Sequence, residues 1–436
     1  MWGSVAKPFT ALAVMRLAEA GRVDLDAPAR TYLPWFRLAD EDASDRITVR
    51  HLLTNTSGIP ASASTEIADR YDNTPGALAD AVRDLARIPP ANGPGESYAY
   101  SSAGYVVLGA LVEEVSGRPF GTYLHEEILD PLGMEHAVAT ARDFRRERVA
   151  PGHRLLFGKA ARFNAPYDTS GTPASHVGGS VRDLSRLALA ELGGGRLDGR
   201  RVLSAKGIAE TQRGQVDSDI DRFGLGWSVG TLKGTAKGAS NGTSDGTGND
   251  NGTGERMVWK SGSLPGYDAM VVMLPDSDRA VIVVQNAFHL LRAQEFHDAA
   301  FGVARILSGE DPESTSPDPL ALLLPWATAV LAGALALCVA APALRLLPGR
   351  RAAARARSRR RIMVNTFASA AGSLTLAALL WWVLPSALGG SIESALLWMP
   401  DAGWGAVTAV VVALVLAAER TVLAVLDLRR RGGDAC

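Results

Sequence analysis

One stretch decides the fold of this chain: Ser4 to Gly21, with the sequence SVAKPFTALAVMRLAEAG. From Phe9 to Ala20, apolar residues cover nearly every face of a helix, and only two charged residues interrupt them. A helix that is apolar all round is normally buried. Pro8 fits only a first helical turn and Gly21 is a natural stop. The pattern therefore predicts a buried helix that begins near Ser4.

The head of this helix carries the motif S-x-x-K, formed by Ser4 and Lys7. Residues three apart share a helix face, so the hydroxyl and the amine can meet. A serine hydroxyl attacks well only when a base takes its proton, and a partly desolvated lysine can do so or assist another base. Free N–H groups at a helix start also favour a developing negative charge. Alone the motif is weak, because chance gives about one per protein of this size.

Residues 1 to 308 have the pattern of one globular domain. Helical patterns cover Ala103 to Val115 and Asp183 to Leu192. Strand patterns cover Met257 to Lys260, Asp268 to Leu274 and Ala280 to Gln285. Residues 234 to 254 are rich in Gly, Thr, Asn and Ser, cannot bury apolar surface, and are expected to form a disordered excursion.

Composition excludes several functional classes. The 436 residues carry a formal net charge of -1, which gives no reason to expect a nucleic-acid partner. Cys338 lies in an apolar run and Cys436 is the last residue, so the cysteines cannot cross-link the globular part. We find no metal-ligand spacing and expect neither a metal nor a cofactor.

The C-terminal part has the composition of a membrane region. A polar linker over 309–319 precedes apolar runs near 320–344, 362–388 and 396–418. Each run exceeds the ~20 residues that a helix needs to cross a bilayer. Buried helices of a soluble protein are the alternative, but three such runs with tryptophans near their ends favour membrane spans.

Arginines predict the orientation. The segment between the first two runs lacks acidic residues and contains Arg345, Arg350, Arg351, Arg355, Arg357, Arg359, Arg360 and Arg361. The tail contains Arg429 to Arg431, whereas the segment between the second and third runs holds only Glu393 and Asp401. By the positive-inside rule, the arginine loop and the C-terminus are cytoplasmic and the N-terminal domain is outside. The loop is also expected to contact anionic membrane lipid, and this topology makes a nucleic-acid role unnecessary.

Several separated segments together resemble one known family. They are Ser4 to Leu12, Ile47 to Leu53, Thr56 to Pro60, Tyr100-Ser101-Ser102, Gly178-Gly179-Ser180 and Lys260-Ser261-Gly262. In this order they are similar to the motifs of class C β-lactamase-like and penicillin-binding serine hydrolases, over about residues 3 to 284. Tyr100-Ser101-Ser102 stands where the family has Tyr-x-Asn, and Lys260-Ser261-Gly262 where it has Lys- or His-x-Gly. No glutamate motif of the class A type is found, so the class C-like branch is favoured.

The resemblance implies an α/β (α+β) fold: an antiparallel sheet flanked by helices with an all-helical lobe, followed here by three transmembrane helices. It implies that Ser4 is acylated while Lys7 and Tyr100 share the proton handling. The ammonium groups of Lys7 and Lys260 would favour the Tyr100 phenolate. An ordinary core aromatic and an ordinary strand lysine are the alternatives for Tyr100 and Lys260.

The other site residues follow from the same resemblance. Backbone N–H groups of Ser4 and Ser263 would form the oxyanion hole. Lys260 and Ser261 would orient the substrate carboxylate or the tyrosine, beside Gly262 of the same motif. A capping or packing role, and not a catalytic one, is expected for His51, His153 and His176.

The implied activity is hydrolysis of an amide or ester through a covalent acyl-serine. The substrate would be a small molecule or peptide, such as a cell-wall peptide or a β-lactam, and the enzyme would be D-alanyl carboxypeptidase-like, β-lactamase-like, an esterase or a peptidase on D-amino-acid peptides. The alternative is a catalytically silent membrane-anchored cell-wall sensor or binding protein.

Two departures from the family pattern matter. Ser102 replaces the usual asparagine, so an amide that would contact substrate is missing, which weakens the β-lactamase interpretation most. The family also places a signal sequence and the first strands ahead of S-x-x-K. We therefore expect a start upstream of Met1, a sheet short of edge strands, Ser4 on a frayed terminus, and poor solubility or activity of residues 1–308 as written.

Overall fold

A computed structural model describes residues 1–67, 70–232, 254–312, 318–343, 359–388 and 390–433. The chain divides into two compact units. The first, here the N-terminal unit, holds residues 1–153, 162–288 and 293–316; the second, the membrane-helix unit, holds 154–161, 289–292 and 317–436. The predicted excursion at 234–254, apart from Gly254, and most of the arginine loop lie outside the described residues.

An antiparallel sheet forms the centre of the N-terminal unit. Its strands are β5 (Val216–Asp217), β6 (Arg222–Phe223), β7 (Ser228–Leu232), β8 (Glu255–Leu264), β9 (Tyr267–Leu274) and β10 (Arg279–Gln285). They lie in the order β10-β9-β8-β7-β6-β5, with every neighbouring pair antiparallel. Two hairpins complete the described strands: β1 (Gly152–Leu156) with β2 (Lys159–Phe163), and β3 (Arg196–Leu197) with β4 (Arg200–Arg201).

Helices of the N-terminal unit surround this sheet and form a separate lobe. They are α1 (Ala6–Glu19), α2 (Glu41–Arg46), α3 (Val49–Leu53), α4 (Ala61–Ile67), α5 (Ala77–Asp84), α6 (Ser102–Ser116), α7 (Phe120–Leu124), α8 (Ala141–Arg146), α9 (Val181–Leu192), α10 (Ala205–Thr211) and α11 (Ala293–Leu307). This confirms the α+β architecture expected from the sequence.

Helix α1 is the buried helix that the apolar pattern predicts. Phe9 and Leu12 are almost completely buried, and α1 packs against α6. A 3₁₀ turn, Gly3–Val5, precedes α1 and carries the nucleophile candidate. The expectation that Ser4 lies on a frayed terminus is wrong. Trp2 is fully buried, its ring stacks on Phe9 with centroids 5.6 Å apart, and its backbone N–H donates to the Val177 carbonyl at 3.0 Å.

The other predicted elements form at their predicted places, with one extension that matters. Strand β8 continues beyond the predicted end at Lys260 as far as Leu264. Gly262 pairs with Ala269 and Ser263 with Asp268 of β9, so the K-S-G-S segment lies on the strand itself. His51 closes a capping box with Thr48 at the start of α3, as expected of a capping histidine.

The membrane-helix unit consists mainly of long apolar helices. They are α12 (Pro319–Ala343), α13 (Arg359–Ala378), α14 (Leu384–Ala387), α15 (Ile392–Trp398) and α16 (Pro400–Gly433), with a π-helical segment, Leu379–Val383, between α13 and α14. Within the described residues, three segments are long and apolar enough to cross a membrane: Pro319–Ala340, Arg360–Ala387 and Pro400–Leu426.

Small residues lie at the contacts between these helices. Ala332, Ala377, Ala409 and Ala413 are buried where α12, α13 and α16 pack together, which lets the backbones approach closely. The third span differs from the predicted 396–418, because residues 396–398 belong to the short helix α15. Proline favours the first turn of a helix, so α16 begins at Pro400.

Candidate active site

Lys7 lies fully buried behind Ser4, one helical turn further along the chain. In the ammonium form its Nζ donates to three oxygens, each at 3.0 Å: Ser4 Oγ, Ser102 Oγ and the Ala174 carbonyl. Burial strips water from the ammonium group and lowers the pKa of Lys7 to about 7. Near neutral pH a large fraction of Lys7 is therefore uncharged and able to accept the Ser4 proton.

Tyr100 contacts the same hydroxyl from the segment before α6. Its phenol donates to Ser4 Oγ at 2.8 Å. The ring centroid lies 4.9 Å from Lys7 Nζ and 4.8 Å from Lys260 Nζ. Lys260 is buried on β8, and burial lowers its pKa as well. The structure thus brings together the four residues predicted to be catalytic, from the Gly3–Val5 turn, α1, the segment before α6 and β8.

Ser4 opens into a cleft of about 280 Å³. The cleft is lined by Ser4, Tyr98, Tyr100, Ser218, Asp219, Ile220, Ser228, Trp259, Lys260, Ser261, Gly262 and Ser263. All of the predicted substrate and oxyanion residues on β8 are in this set. A substrate in the cleft would meet the nucleophile, the tyrosine and the edge of β8 together.

Two glycines allow the nucleophile turn to lie directly on β8. A Cβ added to Gly3, whose φ is +54°, would lie 2.4 Å from the Ser263 nitrogen. A Cβ added to Gly262 would lie 2.5 Å from the Ser4 nitrogen. This close approach places the Ser4 and Ser263 backbones side by side, as two oxyanion donors require. The Ser263 hydroxyl donates to the buried Asp268 carboxylate at 2.8 Å, which fixes this end of the strand.

Ser102 occupies a place different from the one the resemblance implies. In the described part of the chain, the residues that line the cleft do not include Ser102. Its hydroxyl accepts the Lys7 hydrogen bond, and its N–H donates to Ser64 Oγ at 2.8 Å. Ser102 therefore contacts Lys7, and a contact with substrate stays a prediction.

Sequence reasoning missed the residue that shapes the Tyr100 segment. Asn55 has a φ of 57°, in the left-handed region where asparagine is tolerated better than most residues. Its carbonyl accepts the N–H of Ala99 at 2.8 Å, and its side-chain oxygen accepts the N–H of Ser101 at 3.1 Å. These bonds hold Tyr100 from both sides. The signal was the Thr54-Asn55-Thr56-Ser57-Gly58 turn sequence, which favours such local bonding.

The fold and this site together point to one protein class. The chain belongs to the β-lactamase family, whose members are generally serine hydrolases, because the family model described as Beta-lactamase matches residues 1–304. Penicillin-binding protein 4 of Amycolatopsis lactamdurans is 32% identical over 235 residues, which cover 52% of this chain and 60% of that protein. Protein flp of Staphylococcus aureus strain MW2 is 23% identical over 283 residues, 65% of this chain and 52% of that protein. The chain thus spans only about half to three fifths of these relatives.

Solved structures give the same fold. The octameric penicillin-binding protein homologue from Pyrococcus abyssi superimposes with a TM-score of 0.59 at 25% identity, covering 74% of this chain and 69% of that one. A D-stereospecific amidohydrolase from Streptomyces sp. superimposes with a TM-score of 0.53 at 23% identity, covering 69% of this chain and 85% of that one.

Proposed function

We propose that this chain is a serine hydrolase that cleaves an amide or ester through a covalent acyl-Ser4. The observation that carries the proposal is the position of Ser4 Oγ, 3.0 Å from Lys7 Nζ and 2.8 Å from the Tyr100 hydroxyl, at the wall of an open cleft. A nucleophile within hydrogen-bond reach of a base of matched pKa is what acyl transfer needs.

The chemistry follows from these contacts. Neutral Lys7 takes the Ser4 proton as Oγ bonds to the carbonyl carbon of the substrate. The Ser4 and Ser263 N–H groups stabilise the negative oxygen of the tetrahedral intermediate. Tyr100 gives its proton to the departing amine or alcohol, and the Lys7 ammonium restores that proton. Water then attacks the acyl-serine by the same steps in reverse, releasing the acid.

Within this reaction type, the proposed activity is that of a D-alanyl carboxypeptidase-like enzyme, a β-lactamase-like enzyme or an esterase. Similarity to a penicillin-binding protein and to a D-stereospecific amidohydrolase supports peptides of D-amino acids or β-lactams as substrates. The alternative, a catalytically silent cell-wall sensor, is favoured by one observation: the family's asparagine is replaced by Ser102, whose hydroxyl faces Lys7.

Covalent labelling distinguishes the two functions. The full chain in detergent is incubated with a fluorophosphonate or a fluorescent penicillin, and its mass is measured intact and after digestion. We expect one adduct per chain, on the peptide that contains Ser4. The Ser185 hydroxyl donates to the Val181 carbonyl of the same helix, α9. The Ser185→Ala variant should therefore label like the wild type. A folded protein without any adduct would support the sensor and contradict the hydrolase.

The pH dependence of hydrolysis tests Lys7 as the base. The neutral amine is the active form, and its fraction grows as pH rises through the pKa of about 7. For a neutral ester such as p-nitrophenyl acetate, kcat/KM should therefore rise with an apparent pKa near this value. Lys7→Arg should abolish the rise, because arginine stays charged. The exposed Lys206→Arg variant is the matched control. A flat profile between about pH 5 and 9 would exclude Lys7 as the base.

The proposed localisation is the cell membrane, with several spans, the N-terminal unit on the extracytoplasmic side, and the arginine loop and C-terminus in the cytoplasm. Three helices long and apolar enough to cross a membrane, together with the arginine distribution, support it. The neighbouring partner would then be membrane lipid, and the substrate would be extracytoplasmic.

Reporter fusions test this topology. Alkaline phosphatase, which is active only outside the cytoplasm, should be inactive when fused after Arg361 and active when fused within Ser391 to Ser394. Green fluorescent protein, as the complementary reporter, should give the reverse result. If both reporters give the opposite pattern, the N-terminal unit is cytoplasmic and a cell-wall substrate is excluded.

A further inference from the structure

An acidic turn forms one wall of the cleft, opposite in sign to the lysines of the site. The turn connects β5 to β6, and the Ser218 N–H donates to the Asp221 carbonyl at 2.8 Å to close it. Asp219 and Ile220 occupy its tip, and both line the cleft that contains Ser4. Ile220 is 79% exposed, so the tip presents one carboxylate and one bare apolar side chain to an incoming molecule.

The base of this turn is fixed to the catalytic strand. The Asp221 carboxylate accepts the indole N–H of Trp259 at 2.7 Å, and Trp259 directly precedes Lys260 on β8. Gly230 makes room for the bond, because a Cβ there would lie 2.2 Å from the Asp221 carboxylate. The tip therefore has a set position relative to Lys260 and the cleft.

Asp219 and the nearby Asp217 differ in whether a cationic side chain pairs with the carboxylate. The Asp217 carboxylate pairs with Arg222 at 3.4 Å. Over the described ranges, no cationic side chain forms an ion pair with Asp219. Burial raises the pKa of the Tyr98 phenol, and the charges of Tyr100 and then Asp219 act in the same direction. Tyr98 also lines the cleft, and its ring packs on Phe223 of β6 at 5.6 Å between centroids.

An unpaired carboxylate and an aromatic ring that line the same cleft suit a cation. The carboxylate supplies opposite charge and hydrogen-bond acceptors, and the ring face attracts a positive group. Lys260, which also lines the cleft and whose Nζ lies 4.8 Å from the Tyr100 ring centroid, instead suits a carbonyl or carboxylate. A substrate of the D-amino-acid amide or peptide type carries both kinds of group around its scissile bond.

We propose that Asp219 and Tyr98 form a subsite for the ammonium group of the substrate. The preferred substrate is then a small amide or peptide with a free amine near the scissile bond. This inference rests on the proposed hydrolase function, because it assigns the substrate class of the same cleft. The reaction itself needs no additional group: Ser4 is acylated and water releases the acid.

Matched substrates test the subsite in the full chain. D-alanine p-nitroanilide carries a free ammonium group, and its N-acetyl derivative lacks that charge. We expect the wild type to prefer the free amine by about 10-fold in kcat/KM, and Asp219→Asn to remove this preference by lowering kcat/KM for the free amine much more than for the N-acetyl substrate. Asp217→Asn, at the neighbouring paired carboxylate, should retain the preference. Equal kcat/KM for both substrates in the wild type, or equal losses in Asp219→Asn, would overturn the subsite.

Binding without turnover separates this inference from the proposed function. Calorimetry compares D-alaninamide with N-acetyl-D-alaninamide on the wild type and on Asp219→Asn. Tighter binding of the free amine that disappears in Asp219→Asn supports the subsite even if neither anilide is hydrolysed, in which case only the hydrolase proposal fails. Equal binding of both amides by the wild type overturns the subsite even if both anilides are hydrolysed.

Discussion

Replacing Ser4 with alanine is expected to lower kcat/KM for ester hydrolysis by about 10³-fold or more. The hydroxyl that Lys7 and Tyr100 both contact would be gone, and no acyl-enzyme could form there. Lys7→Ala should cost nearly as much, because the serine stays a poor nucleophile without its base. The double variant Ser4→Ala, Lys7→Ala should be no worse than Ser4→Ala alone, since the two residues act as a unit.

The control variants change the same residue types elsewhere. Ser185→Ala and Lys206→Ala alter residues that do not line the cleft, and both should keep the wild-type rate. Circular dichroism checks that each variant is folded before rates are compared. Retention of most activity by Ser4→Ala would show that another residue is acylated, and independent, multiplying losses in the double variant would separate Lys7 from the nucleophile.

The sequence predicted the parts of the fold that local pattern determines. The all-round apolar run predicted that α1 is buried, and the strand patterns predicted β9 and β10 to within one residue and the middle of the longer β8. The resemblance assigned Ser4, Lys7, Tyr100 and Lys260 to one site, and the structure places them within hydrogen-bond or ring-contact distance. Motifs carry this information because their residue types are required by the chemistry.

Contacts between distant segments were not predictable in the same way. Lys7 bonds to Ser102 and to the Ala174 carbonyl, 95 and 167 residues away along the chain, and no local pattern encodes such pairs. The expectation of a frayed Ser4 failed for the same reason. That expectation followed from the missing upstream strands, whereas Trp2 is held by Phe9 and by the distant Val177 carbonyl. From the sequence alone the Asp219 turn is an ordinary polar loop, because its position at the cleft depends on the folded sheet.

Gly262→Ala is expected to lower kcat/KM strongly although it leaves every catalytic side chain intact. The added methyl would lie 2.1 Å from the Trp2 carbonyl oxygen and 2.4 Å from the Val5 nitrogen. Both are backbone atoms, so no side chain can rotate away, and either β8 or the Gly3–Val5 turn must move. A displacement of about 1 Å at such a site costs on the order of 10²-fold in rate, and overpacking typically lowers the free energy of unfolding by about 1–3 kcal/mol.

The measurements are kcat/KM per folded molecule and the thermal unfolding midpoint of the full chain. Gly104→Ala is the matched control. Gly104 lies inside α6, and its added methyl would be 3.6 Å from the Leu52 carbonyl oxygen, an ordinary van der Waals distance. That variant should keep its rate and unfold at the same or a slightly higher temperature, since alanine suits a helix interior better than glycine. Gly3→Ala, whose methyl would lie 2.4 Å from the Ser263 nitrogen, should reproduce the Gly262→Ala loss from the opposite side of the contact. Wild-type rates in both glycine variants would mean that the nucleophile turn and β8 can separate without cost, and the oxyanion hole would then have to be built from other donors.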